Sequence, residues 1–359
     1  MESLPPHLQQ LLASFREGKR LALARAISLV ENEREGFQEF LHAVLSDDAA
    51  PQARRLGFTG PPGAGKSTLL SQVADAYLQR DESVGVVAVD PTSPFSGGAL
   101  LGDRIRLNDL ATDPGIFIRS MATRGSVGGL ATTTREVLDL MDAFGLERVL
   151  VETVGVGQTE LEITGAADTV VVVLVPESGD AIQAMKAGLM EIADVFVVNK
   201  ADRPGADRLL REISTAIHLR TGESTQRVTA HHGVDRSGIG RARPPADHPE
   251  DEGWPIPVLR TEAQTGEGVP ELVGAVAAHR GWLDQSGNLG ARRQARAARR
   301  IKDVAERELR RLIWRDPAVA RGLNSGLDAV ALGRETPYSV AEGIVAEVTG
   351  QSTRKGSDG

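Results

Sequence analysis

The sequence predicts an α/β fold with three layers and a mostly parallel sheet, framed by helical regions at both ends. Two observations carry this. Between residues 51 and 282 short apolar runs recur, several of them separated by longer segments of helical periodicity. Strands apolar on both faces and alternating with helices are the pattern of a parallel sheet covered on both sides. Outside that span the runs disappear and the apolar residues fall at helical spacing. With 359 residues, 41% hydrophobic and 25% charged, the composition is that of an ordinary folded protein. That length suits one domain of about 200–250 residues with helical additions.

Taken in chain order, residues 1–50 form an N-terminal helical extension. Leu23, Ala26, Ile27 and Val30 share one helix face, and Phe37, Phe40, Leu41, Val44 and Leu45 repeat the pattern before Pro51 breaks it. The α/β domain follows over 51–282. Its strands are expected at Leu56–Thr59, Val84–Val89, Ile116–Arg119, Arg148–Val151, Thr169–Val175, Val195–Val198 and Ile256–Leu259. Helices are expected at Ser67–Gln79, Thr133–Phe144, Ala181–Ile192 and Ala206–His218. His231–Trp254, rich in Gly, Pro and charge, reads as a long surface loop, and nothing fixes its histidines His231, His232 and His248 as metal ligands. Helices resume over 283–345. There Arg292–Arg311 holds eight arginines, and Ile301, Val304, Ala305, Leu309 and Leu312 make one apolar stripe. Such a stripe needs a surface to cover, in its own core or on a second subunit. Residues 346–359 read as a flexible tail.

Composition also excludes chemistry. The absence of cysteine removes disulfides, thiol catalysis and thiolate metal sites. A net charge of −8 argues against nucleic acid as the main partner, because phosphate backbones require clustered positive charge. No window reaches the ~18 apolar residues of a membrane span. The N-terminus MESLPPHLQQLL has no targeting pattern, so a soluble cytoplasmic protein is expected.

The strongest motif is Gly60-Pro61-Pro62-Gly63-Ala64-Gly65-Lys66-Ser67, followed by Thr68. It matches G-x-x-x-x-G-K-[ST] and lies between a predicted strand and a predicted helix, the context the motif requires. Its glycines let successive N–H groups close on a β-phosphate, and the helix N-terminus adds partial positive charge. Lys66 is then placed to reach the β- and γ-phosphates and Ser67 to hold Mg²⁺. Asn199-Lys200-Ala201-Asp202 follows a strand at the edge where ligands of parallel sheets bind. A carboxylate at Asp202 can accept from N1–H and the 2-amino group of guanine, whereas adenine offers an acceptor at N1. Ala263, in Thr261-Glu262-Ala263, is a candidate further contact to the base through its backbone.

Metal and water require acids at strand ends. Asp90 and Glu152 both close strands, and Glu152 opens Glu152-Thr153-Val154-Gly155, in which the Gly155 N–H can sense a γ-phosphate. Asp103, in FSGGALLGDRIR, is a third candidate acid, with helix capping as its alternative role. Val156 stands where many small GTPases place a water-orienting glutamine, and Gln158 comes two positions later. Slow intrinsic hydrolysis is expected.

These residues resemble one family, the MeaB/ArgK-type G proteins associated with methylmalonyl-CoA mutase. The resemblance lies in GPPGAGKSTLL, VDPTSPFSGGALLGDRIR, ETVGVGQTE, NKAD and GKRLALARAISLVEN, and it extends over most of residues 10–340. It implies a homodimeric P-loop GTPase with a C-terminal dimerisation arm. By resemblance, that GTPase gates loading of adenosylcobalamin into a B12-dependent acyl-CoA mutase and protects or reactivates the mutase. It also implies a switch segment from Pro176 through Lys186, with Asp180 and Lys186 coupling nucleotide state to the partner. Two departures stand out: Glu262 occupies a position where serine is common, and the 231–254 loop is longer than the family pattern. A nickel-type metallochaperone GTPase is disfavoured by the lack of cysteine, and a small-molecule or protein kinase by the guanine-type loop. A GTP-binding scaffold without turnover is the non-enzyme alternative.

Overall fold

The computed structural model describes residues 4–46, 53–90, 110–122, 132–153, 162–176, 188–223 and 253–349. Seven parallel strands form one sheet: β1 (Arg54–Thr59), β2 (Val84–Asp90), β3 (Ile116–Ala122), β4 (Arg148–Glu152), β5 (Thr169–Leu174), β6 (Val195–Asn199) and β7 (Val258–Thr261). Their order is β3-β2-β4-β1-β5-β6-β7, which places β1 in the middle. Every pairing is parallel, so all the C-terminal strand ends lie along one edge.

Alternation along the strands sends side chains to two cores. Leu56 and Phe58 of β1 and Val84 and Val86 of β2 pack with α4 (Lys66–Leu78) and the helix Val269–Gln285 on one face. Val87, Val89, Val170 and Val172 pack on the other face, beneath α5 (Thr132–Ala143) and α6 (Ala206–Glu223). The N-terminal helices α1 (Pro6–Arg16), α2 (Arg20–Glu31) and α3 (Phe37–Leu45) join this second core through Leu23, Ile27, Val30 and Phe40. Arg20 ties α2 to the sheet by donating to the carbonyls of Asp113, Pro114 and Ile116 at the start of β3.

All seven expected strands are present, each with an end displaced from the sequence expectation, and the displacement has a clear reason in two of them. The last strand is Val258–Thr261 rather than Ile256–Leu259. Pro257 accepts from Phe196 N–H but has no N–H to return, so the ladder starts one residue later. β3 continues to Ala122, because it pairs with the whole of β2 up to Asp90. Of the helix expected over Ala181–Ile192, the described α-helical part is the turn Met190–Ile192.

The chain divides into two compact units, Met1–Arg293 and Gln294–Gly359. Helices α7 (Val269–Gln285), α8 (Asn288–Arg315), α9 (Pro317–Ala331) and α10 (Pro337–Thr349) make up the C-terminal part of the chain. In the second unit α9 and α10 pack closely, since a Cβ on Gly326 would lie 2.5 Å from Val340 Cγ1. Yet this unit leaves Ile301, Leu309, Leu312, Trp314, Leu327 and Tyr338 exposed. Among the described residues, no helix is long and apolar enough to cross a membrane.

Candidate functional site

The C-terminal edge of the sheet gathers the phosphate loop, Glu152 and the Asn199–Asp202 loop. The central strand β1 ends at Thr59 and leads into the glycine-rich loop. Gly60 has φ +134°, and a Cβ there would stand 2.1 Å from the carbonyl oxygen of Val173 on β5. Gly63 and Gly65 also have positive φ, 75° and 84°, and Gly65 caps the start of α4. Pro62 and Gly63 are exposed at the tip of the loop, whereas Ala64, Lys66 and Ser67 are buried and Thr68 is half-buried. The Lys66 ammonium donates to the carbonyls of Gly60 (3.0 Å) and Pro61 (3.1 Å), which holds it across the mouth of its own loop.

The Ser67 hydroxyl donates to Glu152 Oε1 at 2.8 Å, and both residues are buried. Glu152 closes β4, and the adjacent β2 closes on Asp90, so the two acid positions end neighbouring strands. A hydroxyl against a carboxylate is an all-oxygen, hard donor set, the kind Mg²⁺ prefers.

The second loop meets the first through two side chains, the Asn199 amide and the Lys200 ammonium. Asn199 Nδ2 donates to Ala64 O at 2.8 Å, while Asn199 Oδ1 accepts from Thr261 Oγ1 and from Ala263 N–H, both at 3.1 Å. Lys200 has φ +55° and its ammonium donates to Gly63 O at 2.9 Å. Ala201 N–H donates to Thr261 O. With its neighbours fixed in this way, Asp202 stands exposed at the rim. Ala263 N–H, expected at the base, is engaged by Asn199 in this structure.

Asp103, Gly155, Val156, Gln158, Asp180, Lys186 and the histidines at 231, 232 and 248 lie outside the described residues. Sequence reasoning passed over Thr59, Thr153 and Thr261, whose hydroxyls bond within the site. Thr59 lies directly beside the phosphate loop, and Thr153 and Thr261 lie inside the ETVG and TEA segments, but nothing in those segments marks a hydroxyl for a partner.

The opposite edge of the sheet carries a buried charge cluster that no motif announced. Asp168 and Asp194 precede β5 and β6. Arg292 binds Asp194 at 2.8 Å and Arg293 lies 3.3 Å from Asp168. His279 of α7, fully buried, shares a hydrogen bond of 2.9 Å with Thr169 Oγ1 and faces Asp194 Oδ1 at 3.5 Å. Burial outweighs the attraction of Asp194 and pulls its pKa down to about 4.

A strand–glycine loop–helix with an invading lysine, a hydroxyl–carboxylate pair and an Asn-Lys-x-Asp loop on the same edge define a P-loop GTPase. Comparison with known proteins agrees. Residues 23–318 match the family model described as methylmalonyl Co-A mutase-associated GTPase MeaB, and the chain belongs to that family. It is 41% identical over 344 residues to a protein of Pyrococcus abyssi named as a GTPase, covering 96% of this chain and 97% of that one. The GTPase ArgK of Escherichia coli is 34% identical over 305 residues, covering 84% of this chain and 85% of its own. A crystal structure described as a LAO/AO transport system kinase aligns over 97% of this chain and all of its own, with 26% identity and a TM-score of 0.64.

Proposed function

We propose that this chain is a Mg²⁺-dependent homodimeric GTPase of the cytoplasm that serves a B12-dependent acyl-CoA mutase. In this reading it gates entry of adenosylcobalamin into the mutase and protects or reactivates that enzyme. The observation that carries the reading is the intact Lys66–Ser67–Glu152 constellation in a chain of the mutase-associated family.

The loop from Gly60 to Thr68 wraps the β-phosphate, and Lys66 exchanges its carbonyl partners for phosphate oxygens. Ser67, Glu152 and the acids at Asp90 and Asp103 hold Mg²⁺, which when bound neutralises charge on the β- and γ-phosphates. Asn199 and Lys200 join the phosphate and base loops, Asp202 accepts from the guanine edge, and Ala263 N–H exchanges its Asn199 partner for the base. Gly155 senses the γ-phosphate. Lys186 and Asp180 carry the nucleotide state to the partner. With Val156 after Gly155, intrinsic turnover is slow and the partner accelerates it. The exposed apolar residues of the C-terminal unit, Leu309, Leu312 and Trp314 among them, fit a surface buried against a second copy.

The test mixes the purified protein with a B12-dependent acyl-CoA mutase. Complex formation is followed with GDP, GTP and a non-hydrolysable analogue, and GTP turnover with and without the mutase. A nucleotide-dependent complex and at least tenfold faster turnover are expected. Equal turnover with and without every such mutase, and no complex in any nucleotide state, would remove the partner assignment.

A further inference from the structure

Two buried threonines sit where the phosphate loop and the acid-bearing strand leave the sheet. β1 and β4 run side by side with Phe58 opposite Glu152, so Thr59 and Thr153 are the next pair along. Among the described residues, the last backbone bond between these chain ends is Thr153 N–H to Phe58 O at 3.1 Å. One step beyond it, the Thr153 hydroxyl donates to the Thr59 hydroxyl at 2.9 Å, with relative exposures of 1% and 0%. Thr59 leads directly into Gly60, whose position is fixed from the other side by Val173 O. Thr153 directly follows Glu152, the partner of Ser67.

We infer that the Thr59–Thr153 hydroxyl pair is a positioning device. It holds Glu152 in register with Ser67 and so sets the affinity of the site for Mg²⁺. The inference rests on the Mg²⁺ reading of Ser67 and Glu152 given above. Stability alone does not call for two hydroxyls here, because replacing both partners of a buried hydrogen bond by apolar groups is nearly neutral. What the pair supplies is a separation. Bonded oxygens rest at 2.9 Å, whereas two methyl groups rest about 3.5–4.0 Å apart. Mg²⁺ demands near-ideal octahedral geometry. A shift of that size beside Glu152 therefore weakens the metal site even where the fold survives.

The experiment uses the full chain and measures release of a fluorescent GDP analogue across a Mg²⁺ titration, together with the thermal midpoint of each variant. Thr153→Val leaves the Thr59 hydroxyl without its donor, and raises the Mg²⁺ concentration needed for half-maximal slowing of release by about tenfold. Thr153→Ser keeps the wild-type Mg²⁺ dependence. The double variant Thr59→Val/Thr153→Val recovers the thermal midpoint but keeps the weakened Mg²⁺ response. GDP affinity in EDTA is the same in all four proteins. Recovery of the Mg²⁺ response together with the midpoint in the double variant would show a merely structural pair and overturn the inference. So would a wild-type Mg²⁺ response in Thr153→Val. Mg²⁺-insensitive release from the wild-type protein would instead remove the Mg²⁺ reading itself, and the inference with it.

Discussion

Asn199 donates to the Ala64 carbonyl at 2.8 Å, so the loop at the end of β6 is bonded to the phosphate loop at the end of β1, across β5. The same side chain accepts from Thr261 and Ala263, which brings the loop after β7 into the same network. Asn199→Ala leaves a buried hydroxyl and a buried N–H without their acceptor, at about 1–3 kcal/mol each. GDP affinity should fall at least tenfold and the unfolding free energy by about 2 kcal/mol. Calorimetric titration beside urea unfolding checks both, and GDP binding within twofold of wild type would contradict the linking role.

Glycines of the phosphate loop should differ in their tolerance. At Gly63 an added Cβ meets nothing within 4 Å, so Gly63→Ala carries only the positive-φ strain, about 1–2 kcal/mol. At Gly60 the Cβ would collide with the Val173 carbonyl, a backbone atom in the middle of the sheet that cannot rotate away. Gly60→Ala should therefore lose nucleotide binding while Gly63→Ala retains part of it. Parallel titrations with GDP decide this, and equal affinities in the two variants would count against the geometry.

Base preference is assigned to the exposed carboxylate of Asp202. Asp202→Asn replaces an acceptor by an amide that can donate to O2 of xanthine, so preference should move from GTP towards XTP. Discrimination worth about 1–3 kcal/mol per mispaired group corresponds to a change of tenfold or more. Competition between the two nucleotides measures it, and unchanged affinities for both would end the assignment.

His279 gives the pH dependence a definite sign. Its pKa is about 4 in the folded chain and about 6.5 when unfolded, so between these values the unfolded state binds more protons. Its contribution to stability is therefore complete above about pH 6.5 and is lost as the pH falls towards 4, up to about 3 kcal/mol. The Asp194 and Asp168 carboxylates and the Arg292 guanidinium face the same ring, and desolvation dominates them all. His279→Asn should flatten the fall in urea midpoint between pH 7 and pH 5 relative to wild type, and an identical slope would refute the attribution.

How much of this was legible beforehand varies by residue. The parallel sheet was, because Val170 to Leu174 and Val195 to Val198 are apolar on both faces, and burial on both faces leaves that trace in a one-dimensional pattern. The loop from Gly60 to Ser67 was too, since close approach to phosphate demands particular residue types at particular spacings within one contiguous segment. The Asn199 network, the threonine pair and the buried cluster of Asp168, Asp194, His279 and Arg292 were not. Their members are separated by up to 135 residues for Asn199 and Ala64 and 124 for Asp168 and Arg292. An isolated threonine, histidine or aspartate carries no periodicity that marks its partner. Local sequence sets what each segment forms and which chemistry it can offer. Only the order of strands in the sheet brings distant donors within reach of their acceptors, because a hydrogen bond acts over about 3 Å and has no counterpart in sequence separation.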